Sequence, residues 1–230
     1  MIVVLNNKSN LTKEEFIQYE IELGKLDLLN HKVVLCAGYL NLPLFKTTSI
    51  SLGAQTVSAY PEGAYTGEVN ANQLKSMNAS YVLVGHSERR EYNKETNEDN
   101  NKKINQLLTH SITPILCIGE TKEERENNTY KEVIKTQLKE SFANIKSIEN
   151  IIIAYEPVWS IGTGIIPTNE QIEEVFIFLR ELLPNNTLIY GGSANEENIE
   201  ILKEISLIEG YLLGGLSLKP QNLQEFLKKI

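Results

Sequence analysis

Short runs of apolar and β-branched residues recur eight times along this chain, and that recurrence restricts its fold more than any other feature. The first run begins at residue 2 and the eighth at residue 210, so successive runs start about 30 residues apart, the length of one strand-plus-helix unit. Several runs are apolar at consecutive positions, which is typical of parallel strands buried on both faces. The predicted strands are Ile2–Leu5, Lys32–Cys36, Ser51–Gln55, Tyr81–Val84, Pro114–Ile118, Ile151–Tyr155, Leu188–Tyr190 and Gly210–Leu213.

Helical patterns occupy the intervals between these runs. Capping boxes at Thr12–Glu15 and Thr168–Gln171 each open an amphipathic stretch, and a third stretch begins at Tyr130. Their apolar faces are predicted to carry Phe16, Tyr19, Leu23 and Leu26; Ile172, Val175, Phe176, Leu179, Leu182 and Leu183; and Tyr130, Ile134, Leu138, Phe142 and Ile145. We predict an α/β fold in which residues 1–230 form a single domain, an eight-stranded parallel (β/α)8 barrel. A doubly wound open sheet is the alternative.

Composition excludes several classes of protein. The 230 residues include 22 Lys plus Arg and 30 Asp plus Glu, a net charge of −8, which argues against binding to nucleic acid or to anionic membranes. The longest apolar runs, such as Ile151–Tyr155, are far too short to cross a bilayer. Because no secretory leader precedes them, Cys36 and Cys117 are expected to be reduced thiols, and the protein is expected to be cytoplasmic.

A parallel barrel brings the segments that follow its strands to one rim, where active sites of this architecture lie. The segments are Asn6-Asn7-Lys8, Gly85-His86-Ser87-Glu88, Glu156-Pro157, Gly191-Gly192-Ser193 and Gly214-Gly215. Taken singly, Lys8 is an ordinary surface lysine and His86 an ordinary structural histidine. Glu156 is more informative, because it ends an apolar run and Pro157 forces it into extended geometry. An acid, an imidazole and an ammonium on one rim indicate a catalytic site.

The glycine-rich turns after the seventh and eighth predicted strands point to an anion. Backbone N–H groups in such turns bind phosphate without any charged side chain, and this barrel commonly holds phosphate there. His31, His86 and His110 are scattered without zinc spacing, and the dinucleotide and phosphate-loop motifs are absent. We therefore predict no metal.

With these residues in place, the chain resembles the triosephosphate isomerase family along nearly its whole length. The resemblance rests on segments that occur in matching order: Asn6-x-Lys8, Gly53–Gln55, Gly63–Glu68, Gly85–Arg90, Cys117–Glu120, Ala154–Gly164, Tyr190–Ser193 and Leu213–Pro220. The resemblance implies a cofactor-free interconversion of dihydroxyacetone phosphate and glyceraldehyde 3-phosphate, a step of glycolysis and gluconeogenesis.

The resemblance also assigns roles to the rim residues. Glu156 is the base that removes a carbon-bound proton, and a neutral His86, at the start of a short helix near Ser87, polarises the carbonyl. Lys8 stabilises the developing oxyanion, Asn6 positions it, and Glu88 organises the rim through hydrogen bonds.

Phosphate binding and assembly follow from the same resemblance. The segment Pro157–Pro167 is expected to close over the substrate as a lid, and the phosphate-binding residues are Gly162, Ser193, Gly214 and Gly215. Thr66 lies on a long loop that reaches a neighbouring subunit in this family, which implies a homo-oligomer. A dimer is the simplest form and a tetramer is possible.

Some positions depart from the family pattern. Asn7 stands where an aromatic residue is common, Ser160 replaces an alanine of the lid, and Ile165-Ile166-Pro167 forms an unusual lid exit. None of these changes removes a named catalytic group. Two other functions remain as alternatives: a Schiff-base aldolase, which needs a lysine in a desolvated pocket, and a binding barrel without turnover.

Overall fold

Eight parallel strands close into a barrel in the computed structural model, which describes residues 1–161, 167–195 and 198–230. Each strand pairs with the next along the chain, and β1 pairs with β8, with Ile2 opposite Gly210. This closure rules out the open-sheet alternative. The strands are β1 Ile2–Asn6, β2 Lys32–Ala37, β3 Ser51–Ala54, β4 Tyr81–Val84, β5 Thr113–Ile118, β6 Ile152–Tyr155, β7 Leu188–Tyr190 and β8 Gly210–Leu213. The sequence predicted each of them to within one residue at either end.

Helices lie between most of the strands. In the described ranges they are α1 Lys13–Leu23, α2 Ala71–Ser76, α3 Ser87–Tyr92, α4 Asn97–Thr109, α5 Lys122–Glu126, α6 Tyr130–Ser141, α7 Asn169–Leu182, α8 Ile199–Leu202 and α9 Pro220–Lys229. Short 3₁₀ turns occur at Leu42–Leu44, Val158–Ser160 and Gly215–Leu218. None of the helices that the structure describes has the length and apolar character needed to span a membrane.

The predicted capping boxes at Thr12 and Thr168 are both present, because each threonine accepts the N3 backbone N–H and the N3 side chain reaches back. The predicted apolar faces are buried, but they extend past the helix ends. Leu26 follows the last residue of α1, and Phe142 and Ile145 follow the last residue of α6. Leu182 of α7 is exposed rather than buried.

In the part of the chain that the structure describes, the strand-helix repeat is interrupted once, contrary to the prediction that a helical pattern occupies every interval between strands. Residues 38–50, all of which are described, connect β2 to β3 through one 3₁₀ turn and contain no α-helix. Pro43 lies in the first turn, where its missing backbone donor is tolerated, and the segment ends because Phe45 is already extended, with φ −72° and ψ 127°.

The apolar core has two layers separated by the strands. One cluster fills the barrel interior with inward-facing residues such as Val4, Cys36 and Ala154, and a larger one packs the outer strand faces against the helices. Since side chains alternate along a strand, the inward position after Val4 is Asn6 and the one after Ala154 is Glu156. Period-two alternation thus carries these two polar residues to the carboxyl-end mouth of the barrel.

Candidate active site

A pocket of about 590 Å³ opens at the carboxyl ends of the strands. It is lined by eight of the residues predicted for catalysis or phosphate binding, namely Asn6, Lys8, His86, Glu88, Glu156, Ser193, Gly214 and Gly215. Among the described residues, the lining also includes Ser87, Glu91, Tyr92, Val158, Ile161, Gly191, Gly192, Ala194, Asn195, Leu212 and Leu216. The structure therefore brings together residues that lie far apart in the sequence.

Glu156 is a buried carboxylate that accepts a backbone hydrogen bond and lies close to His86. Only 2% of the residue is exposed. Its Oε2 atom accepts the backbone N–H of Ser87, the first residue of α3, at 2.9 Å, and its Oε1 atom lies 3.1 Å from Nε2 of His86. A buried carboxylate needs such partners to stay in place. Ser87 is a residue that the sequence reasoning did not assign to the site.

The tautomer of His86 follows from its other ring nitrogen. Nδ1 accepts the backbone N–H of Glu88 at 3.3 Å. Because a backbone N–H can only donate, Nδ1 carries no proton, and the proton of the neutral imidazole lies on Nε2. Nε2 lies 3.1 Å from Oε1 of Glu156, and His86 lines the pocket. The geometry prepares His86 as a neutral hydrogen-bond donor pointing into the pocket.

Lys8 is held by its backbone as well as by its side chain. Its φ angle of 52° lies in the left-handed region, which is uncommon for a residue other than glycine. The backbone N–H donates to Oδ1 of Asn6 at 3.0 Å, and Gln55 Nε2 donates to the Lys8 carbonyl at 2.8 Å. The ammonium Nζ lies 2.6 Å from Oε1 of Glu88. These contacts hold the ammonium group at the pocket between Glu88, which follows β4, and Gly214, which follows β8.

Gln55 is a site-supporting residue that sequence reasoning missed, although a signal existed. It lies two positions after Gly53, an inward-facing position of β3, so period-two alternation places it at the mouth beside Asn6 and Glu156.

Backbone forms the part of the pocket wall that follows β7 and β8. A Cβ atom added to Gly191 would lie 3.0 Å from Cγ of Glu156, and one added to Gly214 would lie 3.3 Å from Cε of Lys8. Glycine at both positions allows the backbone to approach these side chains closely. The hydroxyl of Ser193 donates to the carbonyl of Ser160 at 3.0 Å, which connects the β7 turn to the segment that follows Glu156.

The start of the predicted lid is anchored by a second buried carboxylate, Glu120. The indole Nε1 of Trp159 donates to Oε1 of Glu120 at 2.8 Å, and the hydroxyl of Tyr155 donates to the same oxygen at 3.1 Å. Arg125 completes the cluster with Nη2 at 2.9 Å from that oxygen. Burial, and then the charge of Glu120, raise the pKa of Tyr155 well above its ordinary value, so the phenol stays a donor.

Two predictions about this region are not tested by the geometry. Gly162 and most of the predicted lid fall in residues 162–166, outside the described residues. Thr66 is described, and it lies in an exposed turn that does not line the pocket.

The cysteine prediction agrees with the structure, since Cys36 and Cys117 are both free and buried. Burial and the nearby charge of Glu156 raise the pKa of Cys117 well above its ordinary value, so its thiol stays protonated beneath the pocket. Within the described ranges, no group of three or more His, Cys, Asp or Glu side chains is arranged to hold a metal ion.

Comparison with known proteins identifies the family. The profile of the triosephosphate isomerase family matches residues 1–230. The triosephosphate isomerase of Dictyoglomus thermophilum is 41% identical over 230 aligned positions, which cover 94% of this chain and 92% of the relative. That of Mesomycoplasma hyorhinis is 45% identical over 174 positions, covering 75% and 71%, and that of Thermodesulfovibrio yellowstonii is 43% identical over 189, covering 79% and 77%. With its closed barrel and its polar mouth, the chain belongs to the triosephosphate isomerase family.

Proposed function

We propose that this protein is an isomerase that interconverts dihydroxyacetone phosphate and D-glyceraldehyde 3-phosphate through an enediolate, within the single domain formed by residues 1–230. The observation that carries the proposal is the pair formed by Glu156 and His86, whose Oε1 and Nε2 atoms lie 3.1 Å apart in a pocket that also contains Lys8. Aldose–ketose isomerisation needs these three functions: a base, a neutral donor and a cation.

Glu156 is the base in this proposal. A substrate carbonyl that accepts the Nε2 proton of His86 replaces Oε1 of Glu156 at that nitrogen, so the carboxylate is freed to face the adjacent carbon. It removes the proton bound to that carbon, and the electron pair of the C–H bond moves to form the enediolate. The carboxylic acid then returns the proton to the neighbouring carbon, which completes the isomerisation without any net change in oxidation state.

His86 and Lys8 stabilise the enediolate. The Nε2–H of His86 donates to the oxygen that gains charge and transfers protons between the two enediolate oxygens. Lys8 places its ammonium beside the same charge, where water is displaced and the interaction strengthens. Asn6 holds the Lys8 backbone at 3.0 Å and Glu88 holds its ammonium at 2.6 Å, so both act as positioning residues.

The phosphate end of the substrate binds beside Lys8, to the backbone of Gly214 and Gly215 and to Ser193, with Gly162 contributing its N–H from the lid. Backbone donors suit a dianion in a protein whose net charge is −8, because they add local attraction without a charged side chain. Pro157–Pro167 acts as the lid, excluding water and retaining the enediolate until it is reprotonated. No cofactor is needed, since acid–base chemistry accounts for every bond made and broken.

The aldolase alternative is disfavoured by the state of Lys8. A Schiff base requires a neutral amine in a desolvated pocket, whereas Lys8 pairs with the carboxylate of Glu88 and is 29% exposed at its side chain. The remaining alternative, a binding barrel without turnover, predicts the same fold but no catalysis.

One experiment separates these functions. Purified protein, assayed with glyceraldehyde 3-phosphate and a coupling enzyme that consumes dihydroxyacetone phosphate, is expected to turn over substrate at an unchanged rate with and without EDTA. Folded protein with no detectable turnover would leave the binding barrel as the better description. Turnover that EDTA abolishes would contradict the cofactor-free mechanism.

We further propose that the protein is a cytoplasmic homodimer. Thr66 lies on an exposed loop next to the stacked rings of Tyr60 and Tyr65, whose centroids are 4.5 Å apart, and Leu40 is 90% exposed. Apolar side chains exposed on loops at the strand ends suit a contact with a second copy. Light scattering is expected to give twice the chain mass of 26.0 kDa, and a mass of one chain would contradict the dimer. A tetramer would give four chain masses.

A further inference from the structure

Asn7 is a buried polar residue that the proposed mechanism leaves without a role. It lies directly after β1, between Asn6 and Lys8, and only 3% of it is exposed. A buried amide costs free energy unless hydrogen bonds replace its lost hydration. An aromatic side chain, common at this position in the family, has no such cost. The partners of Asn7 are therefore informative.

Those partners lie at the other end of the chain. Nδ2 of Asn7 donates to the carbonyl of Ser217 at 3.3 Å and lies 3.4 Å from its hydroxyl, across a sequence separation of 210 residues. Ser217 is fully buried, and its hydroxyl lies 3.0 Å from the carbonyl of Asn6 and 2.5 Å from that of Gly214. Asn7 and Ser217 thus fasten the end of the first strand to the turn that follows the last strand.

That connection joins the two parts of the proposed phosphate site. One part is Lys8, whose Cε atom lies 3.3 Å from a Cβ added at Gly214. The other part is the 3₁₀ turn Gly215–Leu218, which contains Ser217. A phosphate that binds both the turn and the cation requires their separation to be fixed, and small displacements are costly in such sites.

We propose that Asn7 is a positioning residue that fixes the Gly214–Gly215 turn relative to Lys8 and so sets the affinity of the site for the phosphate group. The inference rests on the proposed phosphate site, but it concerns binding rather than turnover. At 3.3 and 3.4 Å the contacts of its amide are long, so the amide contributes placement of the turn more than stability. Its effect belongs in KM and in phosphate affinity rather than in kcat.

The test replaces Asn7 by a side chain of similar size without the amide, Asn7→Leu. We expect KM for glyceraldehyde 3-phosphate to rise about five- to tenfold, equivalent to about 1–1.4 kcal/mol, with kcat within twofold of the parent. The dissociation constant of inorganic phosphate, measured by calorimetry on the same protein, is expected to rise in parallel. Because that measurement needs no turnover, it separates a failure of this inference from a failure of the proposed isomerase activity.

Asn41→Leu is the matched control. Asn41 is a buried asparagine that does not line the pocket. Its Nδ2 donates at 3.3 Å to the carbonyl of Leu11, which lies in the β1–α1 loop that also contains Asn7. It is expected to lose stability with unchanged KM and unchanged phosphate affinity. Should Asn7→Leu fail to fold, Ser217→Ala loosens the same turn from its other end. It removes the hydroxyl that contacts Nδ2 of Asn7 and the carbonyls of Asn6 and Gly214, although the Ser217 carbonyl remains as an acceptor for Nδ2. It is expected to raise KM and the phosphate dissociation constant in the same direction.

The double variant distinguishes a shared role from two separate ones. If Asn7 acts through Ser217, combining Asn7→Leu with Ser217→Ala raises KM little beyond either change alone. Unchanged KM and unchanged phosphate affinity in a folded Asn7→Leu protein would overturn the proposal. So would a fall in kcat at constant KM, or an increase in KM that Asn41→Leu reproduces.

Discussion

Glu120 and Glu156 follow neighbouring strands, β5 and β6, at the same end of the barrel, and both are almost completely buried. Their surroundings differ in charge. Glu120 receives donors from Arg125, Tyr155 and Trp159, all directed at one oxygen, so a full positive charge neutralises it. Glu156 has a backbone N–H and a neutral imidazole at its two oxygens, and it faces a pocket.

Two glutamates at the same end of the barrel can therefore have different roles, one structural and one chemical. A buried carboxylate paired with a guanidinium is fixed in place, because separating the ions exposes an uncompensated charge. A carboxylate held by exchangeable neutral donors can give them up to a substrate and take a proton. We therefore infer that Glu120 secures the start of the lid segment, while Glu156 is free to react.

Glu156→Gln is the strongest test of this contrast. The amide cannot accept a proton from carbon, so kcat is expected to fall about 10²–10⁴-fold in the coupled assay. The amide NH₂ must face one of the two donors, Ser87 N–H or His86 Nε2–H, so about 1–3 kcal/mol of unfolding free energy is also expected to be lost. A kcat within tenfold of the parent would remove Glu156 from the mechanism.

Glu120→Gln is expected to lower the unfolding free energy strongly and kcat only slightly, the opposite of Glu156→Gln. Removing one partner of a buried ion pair typically costs about 3–5 kcal/mol. Here Arg125 loses its nearer counter-charge and keeps Glu174, whose Oε2 lies 3.7 Å from Nη1. Urea denaturation at fixed protein concentration measures this loss, since any dimer makes stability concentration-dependent. The kcat of the folded fraction is expected to stay within about tenfold. If Glu120→Gln lost more activity than Glu156→Gln, the assignment of roles would be wrong.

The sequence could predict the strands because their signal is local. Runs such as Ile152–Tyr155 are apolar at every position, and the barrel buries both faces of each strand. The position of Glu156 at the barrel mouth was also predictable from local sequence, because side-chain alternation along β6 turns it inward at the strand end. The β2–β3 connection was not predictable from this repeat, because spacing alone does not reveal whether a helix occupies an interval.

The partners of each carboxylate could not be predicted from the sequence, because they come from separate segments of chain. Glu120 and Glu156 look alike there, each a glutamate shortly after an apolar run. What distinguishes them is that Arg125, Tyr155 and Trp159 converge on one and Ser87 and His86 on the other. The contact between Asn7 and Ser217 joins opposite ends of the chain, and no local pattern indicates it.

A third buried carboxylate, Glu95, extends the comparison to the dependence of stability on pH. Its side chain is 3% exposed and contacts both Lys103 and Arg89, the latter at 2.6 Å. Burial alone raises the pKa of Glu95. The charge and hydrogen bond of Lys103, followed by those of Arg89, lower it by more, so the net pKa lies below the ordinary value of 4.5. Glu95 therefore belongs with Glu120, as an ion-paired and structural carboxylate.

The sign of the effect follows from that lowered pKa. Because the folded protein binds this proton less readily than the unfolded chain, the stabilisation is present above about pH 4.5 and is lost as the pH falls through the folded-state value. Glu95→Gln removes the titrating group, so its stability difference from the parent in urea is expected to shrink between pH 6 and pH 3. The lowered pKa predicts the direction of this change, a difference that narrows as the pH falls. Glu98→Gln is the control, since Glu98 is 79% exposed and its ion pair with Lys102 lies at the surface, where solvent screens it. A difference between Glu95→Gln and the parent that stays constant across this range would mean that Glu95 stabilises the fold by packing rather than by charge.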